Sequence, residues 1–296
     1  MLKRIAVPVQ LQQFLILLVL LIAGKLGAFV FLSWGEIALL LGAGLLIEHL
    51  LLLLKTRSHR LHYFSFSVLS TTLGIVMMLA TPHWWIYLSA LFLALLQKHF
   101  LTLQDRHLFN PSNFALIVAM VLFYQQAHVV MGQLGDAWWL HLLLLVLGAT
   151  ILLRVDRWVI SLSFIVAYLL FSYLWVVRYD PVMLFEDVYG RFYAVSFILF
   201  VLFMLTDPRT TPQSRWGQLV FGAGVALGAV LLDRWYGFRA QHLFMVLFVL
   251  TPLYVLWVQA RHQPRTLWLG VAVLLLALGA IIYLEIQPPY YFAMDM

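Results

Sequence analysis

The stretch Phe203-Met204-Leu205-Thr206-Asp207-Pro208-Arg209-Thr210-Thr211-Pro212, followed by Trp216-Gly217, decides how the rest of the chain is interpreted. A strongly apolar segment leads into an acidic residue and two prolines, with threonines between them. Because proline cannot continue a helix and Asp and Thr side chains hydrogen-bond freed backbone groups, the stretch predicts a helix that breaks. A break at membrane depth must be stabilised by neighbouring protein or by water, so we expect it to serve a function.

The composition places the chain in the membrane class. Hydrophobic residues make up 64% of the 296 residues and charged residues 10%, against about 45–50% and 25% in soluble domains. Several apolar runs reach the roughly 20 residues that cross a bilayer. The fold class is therefore all-α, a polytopic integral membrane protein, and the lipid bilayer is its first partner. The absence of cysteine excludes thiol chemistry, disulfides, iron–sulfur clusters and Cys-ligated zinc.

Hydropathy predicts about 10–11 transmembrane helices, and the positions of the basic residues predict their orientation. Most Lys and Arg residues fall in segments that are cytoplasmic if the N-terminus is cytoplasmic, and eleven helices then leave the C-terminus outside. The net charge of +6 thus indicates topology, and we expect no nucleic-acid partner. The spans are expected near residues 10–31, 35–54, 63–80, 83–98, 111–125, 137–153, 157–176, 191–206, 216–232, 240–259 and 266–286.

The chain contains a weak internal repeat. Met78-Leu79-Ala80-Thr81-Pro82 resembles Met204-Leu205-Thr206-Asp207-Pro208, and the two are offset by 126 positions (204 − 78). The same shift carries the first five spans onto the next five, and an odd number of spans makes the second copy inverted. We therefore predict a first repeat at 1–130, a second, inverted repeat at 131–260, and an extra helix with a tail at 261–296. A chance likeness of two apolar helices that end at proline remains the alternative.

A second interrupted stretch is Asp105-Arg106-His107-Leu108-Phe109-Asn110-Pro111-Ser112-Asn113-Phe114. Asn110 before Pro111 is typical of a helix N-cap followed by proline at the first helical position. A helix N-terminus also presents free N–H groups that suit phosphate or another anion. A cap without any ligand and a ligand-binding cap both fit this spacing.

Together, the two stretches resemble the NqrB/RnfD membrane subunits of the sodium-pumping NADH–quinone reductase and the Rnf electron-transport complex. Residues 107–114 are similar to the family's H-x-F-N-P segment, and residues 203–217 to its F-M-x-T-D-P…G segment. The resemblance covers roughly residues 10–259. The shorter UnbU-type branch of enediyne gene clusters resembles the chain most, through N-P-[ST]-N-F and D-P-[KR]-T-T-P-x-S-R.

The resemblance implies an electron-transfer protein or complex subunit in a bacterial inner membrane, working with other membrane or redox subunits. It implies a cofactor near the two helix breaks: flavin (FMN or riboflavin) bound non-covalently, or quinone. Arg106, Arg209 or Arg215 would compensate a phosphate charge. The cofactor-binding residues expected from the motifs are Asn110, Ser112, Asn113, Thr206, Asp207, Arg209, Thr210 and Thr211. No catalytic residue and no metal site is predicted.

One departure from the family bears on the cofactor. Family members carry an S/T-G-A-T-P-type segment whose threonine holds FMN through a phosphoester, and the connection 125–136 here contains no threonine. Leu147-Gly148-Ala149-Thr150 continues with Ile151 instead of proline and lies in an apolar span, so we interpret it as helix packing. We therefore expect no covalent flavin.

Polar residues inside the spans are functional candidates. We expect Lys25 and Glu48 to pair with each other. His49, His141 and His242 have the chemistry of haem ligands or proton relays, but nothing fixes two facing axial ligands, so haem is not expected. His59, His62, His99 and His262 are expected at the membrane interface in basic loops.

Two other functions stay open. Ammonium- and urea-type channels are also built from inverted five-helix repeats, so a small-solute or cofactor channel or transporter is the alternative from another class. A scaffold that docks a redox partner without a cofactor is the third. Whether the chain is an enzyme, or a redox or non-catalytic subunit of an oxidoreductase complex, is not decided by the sequence.

Overall fold

The computed structural model describes residues 8–27, 30–56, 65–103, 106–130, 137–178, 184, 186, 189–260 and 267–287. Its described part contains eleven α-helices and two pairs of two-residue strands, so the prediction of an all-α polytopic fold is confirmed. The helices are α1 Val9–Leu26, α2 Trp34–Thr56, α3 Phe66–Met78, α4 Trp84–Phe100, α5 Pro111–Leu122, α6 Trp138–Val155, α7 Trp158–Ser172, α8 Val195–Leu199, α9 Arg215–Tyr236, α10 Gln241–Ala260 and α11 Leu267–Ile286.

Short irregular elements lie at the helix ends. Two helices continue into π-helical turns, α7 through Tyr173–Val177 and α8 through Phe200–Met204. A 3₁₀ turn, Gly190–Tyr193, precedes α8. The strands are β1 Leu79–Ala80, β2 Thr102–Leu103, β3 Arg106–His107 and β4 His128–Val129, and β1 pairs antiparallel with β4 and β2 with β3.

Within the described residues, six helical segments are long and apolar enough to cross a membrane by length and composition. Their outward faces carry leucine and valine, such as Leu46, Leu145 and Val166, which are all exposed. Exposed aliphatic side chains of this number are costly in water and suit lipid. The protein is therefore an integral membrane protein. The segments are Val9–Leu26, Trp34–Thr56, Trp138–Val155, Trp158–Trp175, Arg215–Tyr236 and Gln241–Val258.

Two short helices, α3 and α8, form the centre of the molecule. Every residue from Val195 to Met204 is buried, and α3 is buried along most of its length. Most of their residues are apolar, as expected for helices that protein surrounds, and the polar residues of α3 are serines and threonines. Helix α3 packs against α1, α2, α4 and α5, whereas α8 packs against α6. The two proline-terminated segments of the internal repeat, residues 78–82 and 204–208, lie at the C-terminal ends of α3 and of the π-helical continuation of α8.

The two halves of the chain use similar helix pairs. Helix α2 packs on α4 and α4 on α5, and in the same way α7 packs on α9 and α9 on α10. A shift of 126 moves the first residue of α1, Val9, to position 135, three residues before α6 begins at Trp138. The division into two inverted repeats at residue 130 remains a prediction. The extra helix α11 packs on α10 and α5.

Candidate functional site

The first interrupted stretch forms a hairpin and a helix cap. Strands β2 and β3 turn the chain back after α4, so that α5 begins beside the central helices. The Asn110 Oδ1 atom accepts a hydrogen bond from the Asn113 backbone N–H at 3.1 Å, and Pro111 occupies the first helical position. The predicted N-cap is confirmed, and it leaves the amide nitrogen of Asn110 free for another contact.

The second stretch ends α8 at the predicted break. The Leu205 N–H donates to the Phe200 carbonyl at 2.9 Å, which is a π-helical bond, and such turns are frequent at functional sites. The Asp207 carbonyl then accepts the Thr211 hydroxyl at 2.6 Å. The Asp207 Oδ1 atom accepts the Arg209 backbone N–H at 3.0 Å. The side chains of this stretch thus satisfy the backbone groups that proline frees.

The two breaks meet in space. The Asn110 Nδ2 atom donates to the Asp207 Oδ2 atom at 3.2 Å, although the residues are 97 positions apart in the sequence. An open cavity of about 350 Å³, which we call the junction cavity, lies at this contact. Five of the eight predicted site residues line it: Asn110, Ser112, Thr206, Asp207 and Arg209.

The junction cavity has an apolar and a polar wall. The apolar wall comes from α1, α6 and the end of α8, through Val9, Ile151, Val155, Leu202 and Phe203. Polar groups on α1 and α3 face the motif residues: Gln10, Gln13, Ser67, Ser70 and Thr71. The Ser70 Oγ atom is buried without a hydrogen-bond partner among the described residues. Orphaned buried polar atoms of this kind are unusual in native proteins and are consistent with a bound molecule.

These α1 and α3 residues are not among the site residues predicted from the motifs. The sequence features that could have indicated them are the run Ser70-Thr71-Thr72 inside an apolar span and the glutamines at the start of α1. Hydroxyl groups in a transmembrane helix commonly bond their own backbone, and Thr72 does so with the Val68 carbonyl at 3.0 Å. The pattern alone therefore could not identify the hydroxyl groups that line a cavity.

The other three predicted site residues stabilise the walls. The Asn113 Nδ2 atom donates to the Phe244 carbonyl of α10 at 3.1 Å. Thr210 and Thr211 are fully buried and bond the Asp207 carbonyl. The buried Arg157 donates to the Thr211 hydroxyl at 3.3 Å. These side chains position Asn110 and Asp207 and do not line the junction cavity.

His107 and Arg209 form the polar rim of the junction cavity. The Arg209 Nη1 atom donates to His107 Nε2 at 2.9 Å, so the imidazole accepts there and is neutral. Burial lowers the pKa of His107 to about 4, and the charges of Arg209, Lys98 and His99 add to the effect. Burial raises the pKa of the Asp207 carboxyl, although hydrogen bonds from Arg209 and Asn110 favour its ionised form.

Of the three arginines expected to compensate a phosphate charge, one lies at the cavity. Arg209 lines it. Arg215 forms an exposed salt bridge with Asp156 and lies over the Trp158 ring. Neither Arg215 nor Arg106 lines the junction cavity.

The expected pair of Lys25 and Glu48 is wrong. Glu48 is buried and bonds two residues at the end of α4, Lys98 at 3.1 Å and His99 at 2.5 Å. Lys25 donates instead to the Val30 carbonyl at 3.0 Å. The expected position of His99 is also wrong, because it is buried in the last turn of α4. His59, His62 and His262 lie outside the described residues.

A second polar network joins α9, α10 and α11. His242 is fully buried, and its Nδ1 atom bonds Asp233 at 2.6 Å while its Nε2 atom bonds Glu285 at 3.1 Å. Arg191 pairs with Asp233 at 3.0 Å, and Arg239 pairs with Glu285 at 3.2 Å. Both ring nitrogens of His242 are therefore used in structural bonds.

The other histidines named as candidates have different environments. The two ring nitrogens of His141 contact the carbonyl oxygens of Ala137 and Tyr193. His49 is half-buried in α2 and does not line the junction cavity. Within the part of the chain that the structure describes, no group of three metal-ligating side chains is found.

Comparison with known proteins supports the resemblance carried by the motifs. The model of the NQR2, RnfD, RnfE family matches residues 124–263, which include α6 to α10 and the Asp207 stretch. The resemblance to NqrB/RnfD is thereby confirmed over these residues. The Asn110 stretch lies before the matched region. A comparison with curated proteins gives no match.

Proposed function

We propose that this protein, whose residues 124–263 match the NQR2, RnfD, RnfE family, is a membrane electron-transfer subunit that binds a flavin without a covalent bond in the junction cavity. The hydrogen bond between Asn110 and Asp207 carries the proposal, because it brings both family motifs to one cavity. Ligand pockets typically have volumes of about 300–1,000 Å³, and the junction cavity measures about 350 Å³.

The walls suit the two parts of a flavin ring system. The polar edge of an isoalloxazine alternates hydrogen-bond acceptors with an N–H donor, and the opposite edge is an apolar dimethylbenzene. Asn110, Asp207 and the orphaned Ser70 hydroxyl offer both donors and acceptors. Leu202 and Phe203 offer apolar contact. This combination of an apolar pocket with a few convergent polar groups is typical of cofactor sites.

The chain supplies position and electrostatics, and a bound flavin supplies the exchange of one or two electrons. Asn110 and Asp207 are held against each other by bonds from both breaks, which fixes the polar edge of the site. Arg209 adds a cation at the rim and stabilises negative charge that develops in the cavity. The absence of a threonine in residues 125–136 supports a non-covalent mode of binding.

Quinone is the second candidate ligand, and the raised pKa of Asp207 favours it. A quinone carries two acceptor carbonyls, which an ionised carboxylate would repel. Burial raises the pKa of Asp207, so its protonated form becomes a hydrogen-bond donor more readily than that of an exposed aspartate. Reduction of a quinone also consumes protons, and a carboxyl beside Arg209 and Asn110 is placed to supply one.

An absorption spectrum of the detergent-purified protein tests the proposal, repeated on the supernatant after acid precipitation. A non-covalent flavin gives flavin bands that move into the supernatant. A protein that purifies without these bands is then titrated with riboflavin and FMN. Failure to bind either contradicts the flavin proposal, and quinone in an organic extract would identify the second candidate. Neither flavin nor quinone, together with solute transport in liposomes, would favour the channel.

Two matched variants locate the site. Asp207→Asn removes the charge and one acceptor at the junction cavity, and we expect flavin content to fall by about tenfold or more. Asp156→Asn changes the same group at an exposed salt bridge away from the cavity, and asparagine tolerates its left-handed backbone (φ 57°). Its flavin content should equal that of the wild type. Equal loss in both variants would mean that Asp207 has no specific role.

A further inference from the structure

A second cavity, of about 430 Å³, adjoins the junction cavity. The two share four lining residues, Gln10, Ser67, His107 and Arg209. We call the second cavity the basic vestibule, because Lys55, Lys98, His99, His107 and Arg209 line it. A molecule seated in the junction cavity can therefore extend past His107 and Arg209 into the basic vestibule.

The charges of the basic vestibule are not balanced. Glu48 is the one carboxylate among the described residues that line it, and it is shared by Lys98 at 3.1 Å and His99 at 2.5 Å. Lys55 donates to the His99 carbonyl at 2.9 Å, and Arg209 donates to the neutral His107. Neither of these two cations forms a salt bridge with a carboxylate among the described lining residues. The vestibule therefore carries an excess of positive charge that an anion would stabilise.

Two of these groups are deeply buried, which is unusual for residues that only face water. Lys98 is 6% exposed and His99 9% exposed. Lysine is almost never buried to this degree unless it is paired or has a functional role. Among the described residues, Glu48 is the carboxylate that bonds both side chains, so an anion in the vestibule would add negative charge beside them.

His107 provides an independent observation. Its Nε2 atom accepts the Arg209 N–H, so its Nδ1 atom carries the proton and is a donor. This Nδ1 atom has no partner among the described residues, although His107 is only 6% exposed. The lowered pKa of His107 also has the charges of Arg209, Lys98 and His99 among its causes. An orphaned donor in a positive potential fits an anionic acceptor.

We infer that the basic vestibule binds the phosphate monoester of the ligand whose ring system lies in the junction cavity, so that the protein selects flavin mononucleotide over riboflavin. The inference rests on the proposed function. Three groups of the basic vestibule contact the phosphate and so distinguish FMN from riboflavin: Lys98, Arg209 and the Nδ1–H group of His107. The ring system contacts Asn110 and Asp207, and the phosphate contacts His107 and Arg209, which line both cavities, and Lys98, which lines the basic vestibule. A membrane lipid phosphate is the other source of the same chemistry.

Binding titrations of the purified, ligand-free protein in detergent test the inference. Flavin fluorescence is followed as protein is added to FMN and, separately, to riboflavin. We expect FMN to bind at least about tenfold more tightly, and inorganic phosphate to compete with FMN and not with riboflavin. Equal affinities would overturn the phosphate site while leaving the flavin proposal intact. If neither flavin binds, both the proposed function and the inference fail.

Two lysine variants and one control identify the phosphate contacts. Lys98→Met should reduce FMN affinity about tenfold with riboflavin affinity unchanged. Lys55→Gln, at an exposed side chain, changes the charge without disturbing the buried Glu48 group and should give a smaller loss of the same kind. Lys25→Met removes a lysine that bonds the Val30 carbonyl and does not line either cavity. It should bind FMN as the wild type does.

Reconstitution in two different lipids distinguishes the flavin phosphate from a lipid phosphate as the occupant of the basic vestibule. The protein is reconstituted in nanodiscs of phosphatidylcholine or of phosphatidylglycerol, and the FMN titration is repeated. A preference for FMN in both lipids supports the flavin phosphate. If phosphatidylglycerol abolishes FMN binding and stabilises the wild type but not Lys98→Met, the vestibule is a lipid site and the inference is overturned.

Discussion

At the scale of single residues, the junction cavity holds two ionisable groups whose pKa values are shifted in opposite directions. Burial, with the nearby cations, lowers the pKa of His107 to about 4. Burial raises the pKa of Asp207 above its ordinary value. Each group is thereby held nearer its neutral form, as expected where charge is costly to desolvate. The two shifts have opposite consequences for stability.

The lowered pKa of His107 predicts that the folded protein loses stability on mild acidification. Between pH 6.5 and about 4 the unfolded chain protonates His107 and the folded chain does not, so stability falls as the pH falls through this window. The loss for this group reaches about 3 kcal/mol at pH 4. The raised Asp207 pKa acts in the opposite sense, because its ionised form costs stability at higher pH.

Thermal unfolding of the detergent-solubilised protein between pH 4 and 7.5 measures this effect, with His107→Gln as the comparison. Glutamine keeps an acceptor for Arg209 and does not titrate. The groups that face His107 are present in both proteins, so their titration contributes equally to both unfolding curves. They are Arg209, Lys98, His99 and Glu48. The unfolding midpoint of the variant should fall less at low pH. Parallel curves for the two proteins would contradict the assignment.

At the scale of secondary-structure elements, glycines set how closely the helices of the second half pack. A Cβ atom at Gly222 of α9 would overlap the Ile160 carbonyl oxygen and approach the Phe164 nitrogen of α7 to 3.1 Å. Because these are backbone atoms, the helices would have to separate. At Gly224, two residues further along α9, a Cβ atom would meet only Leu250 Cδ1 at an ordinary 3.7 Å.

These two positions make a matched pair of substitutions. Gly222→Ala should destabilise the protein by about 1–3 kcal/mol through overpacking. Gly224→Ala should be neutral or stabilising, since alanine has the higher helix propensity by about 1 kcal/mol. The thermal unfolding midpoints of the two variants and of the wild type are measured in the same detergent and compared. A smaller effect at Gly222 than at Gly224 would mean that α7 and α9 are not in contact as described.

The last helix is joined to the second half by charged groups. Glu285 of α11 is buried and bonds His242 and Arg239, and His242 continues to Asp233. His242 has the chemistry of a ligand or a proton relay, and in the structure its contacts join α9, α10 and α11. The network explains how a helix outside the two predicted repeats is attached to α10 and, through Asp233, to α9.

Removing one member of this network should be costly, because it leaves an uncompensated buried charge. Glu285→Ala is expected to destabilise the protein by about 3–5 kcal/mol. Ile282→Ala truncates an exposed side chain of the same helix and serves as the control. Limited proteolysis and the thermal unfolding midpoint report the loss. If the two variants unfold alike, the network does not stabilise α11.

At the scale of the whole molecule, eleven helices and the distribution of basic residues predict the topology. The N-terminus is expected in the cytoplasm and the C-terminus outside, because an odd number of spans puts the ends on opposite sides. Reporter fusions in a bacterial host test this expectation, with a cytoplasm-active reporter and a periplasm-active reporter at each end in turn. Activity of the cytoplasmic reporter at both ends would mean that one helix does not span.

The sequence by itself determined the fold class and the local structure of both breaks. Apolar runs of about 20 residues in a chain of this composition indicate helices, because a helix satisfies its own backbone hydrogen bonds within lipid. The cap at Asn110 and the break at Asp207 depend on neighbouring residues, since proline, hydroxyl and amide side chains act within a few positions. The family resemblance followed from the same two stretches.

Only the tertiary structure decided which distant groups meet. The bond between Asn110 and Asp207, the wall formed by Ser70, and the choice of Lys98 over Lys25 as the partner of Glu48 all join different helices. Hydropathy locates helices along the chain but does not give their rotation or their neighbours. A buried carboxylate takes the cation that helix packing brings to it, because desolvation makes an unpaired charge costly and sequence proximity contributes little.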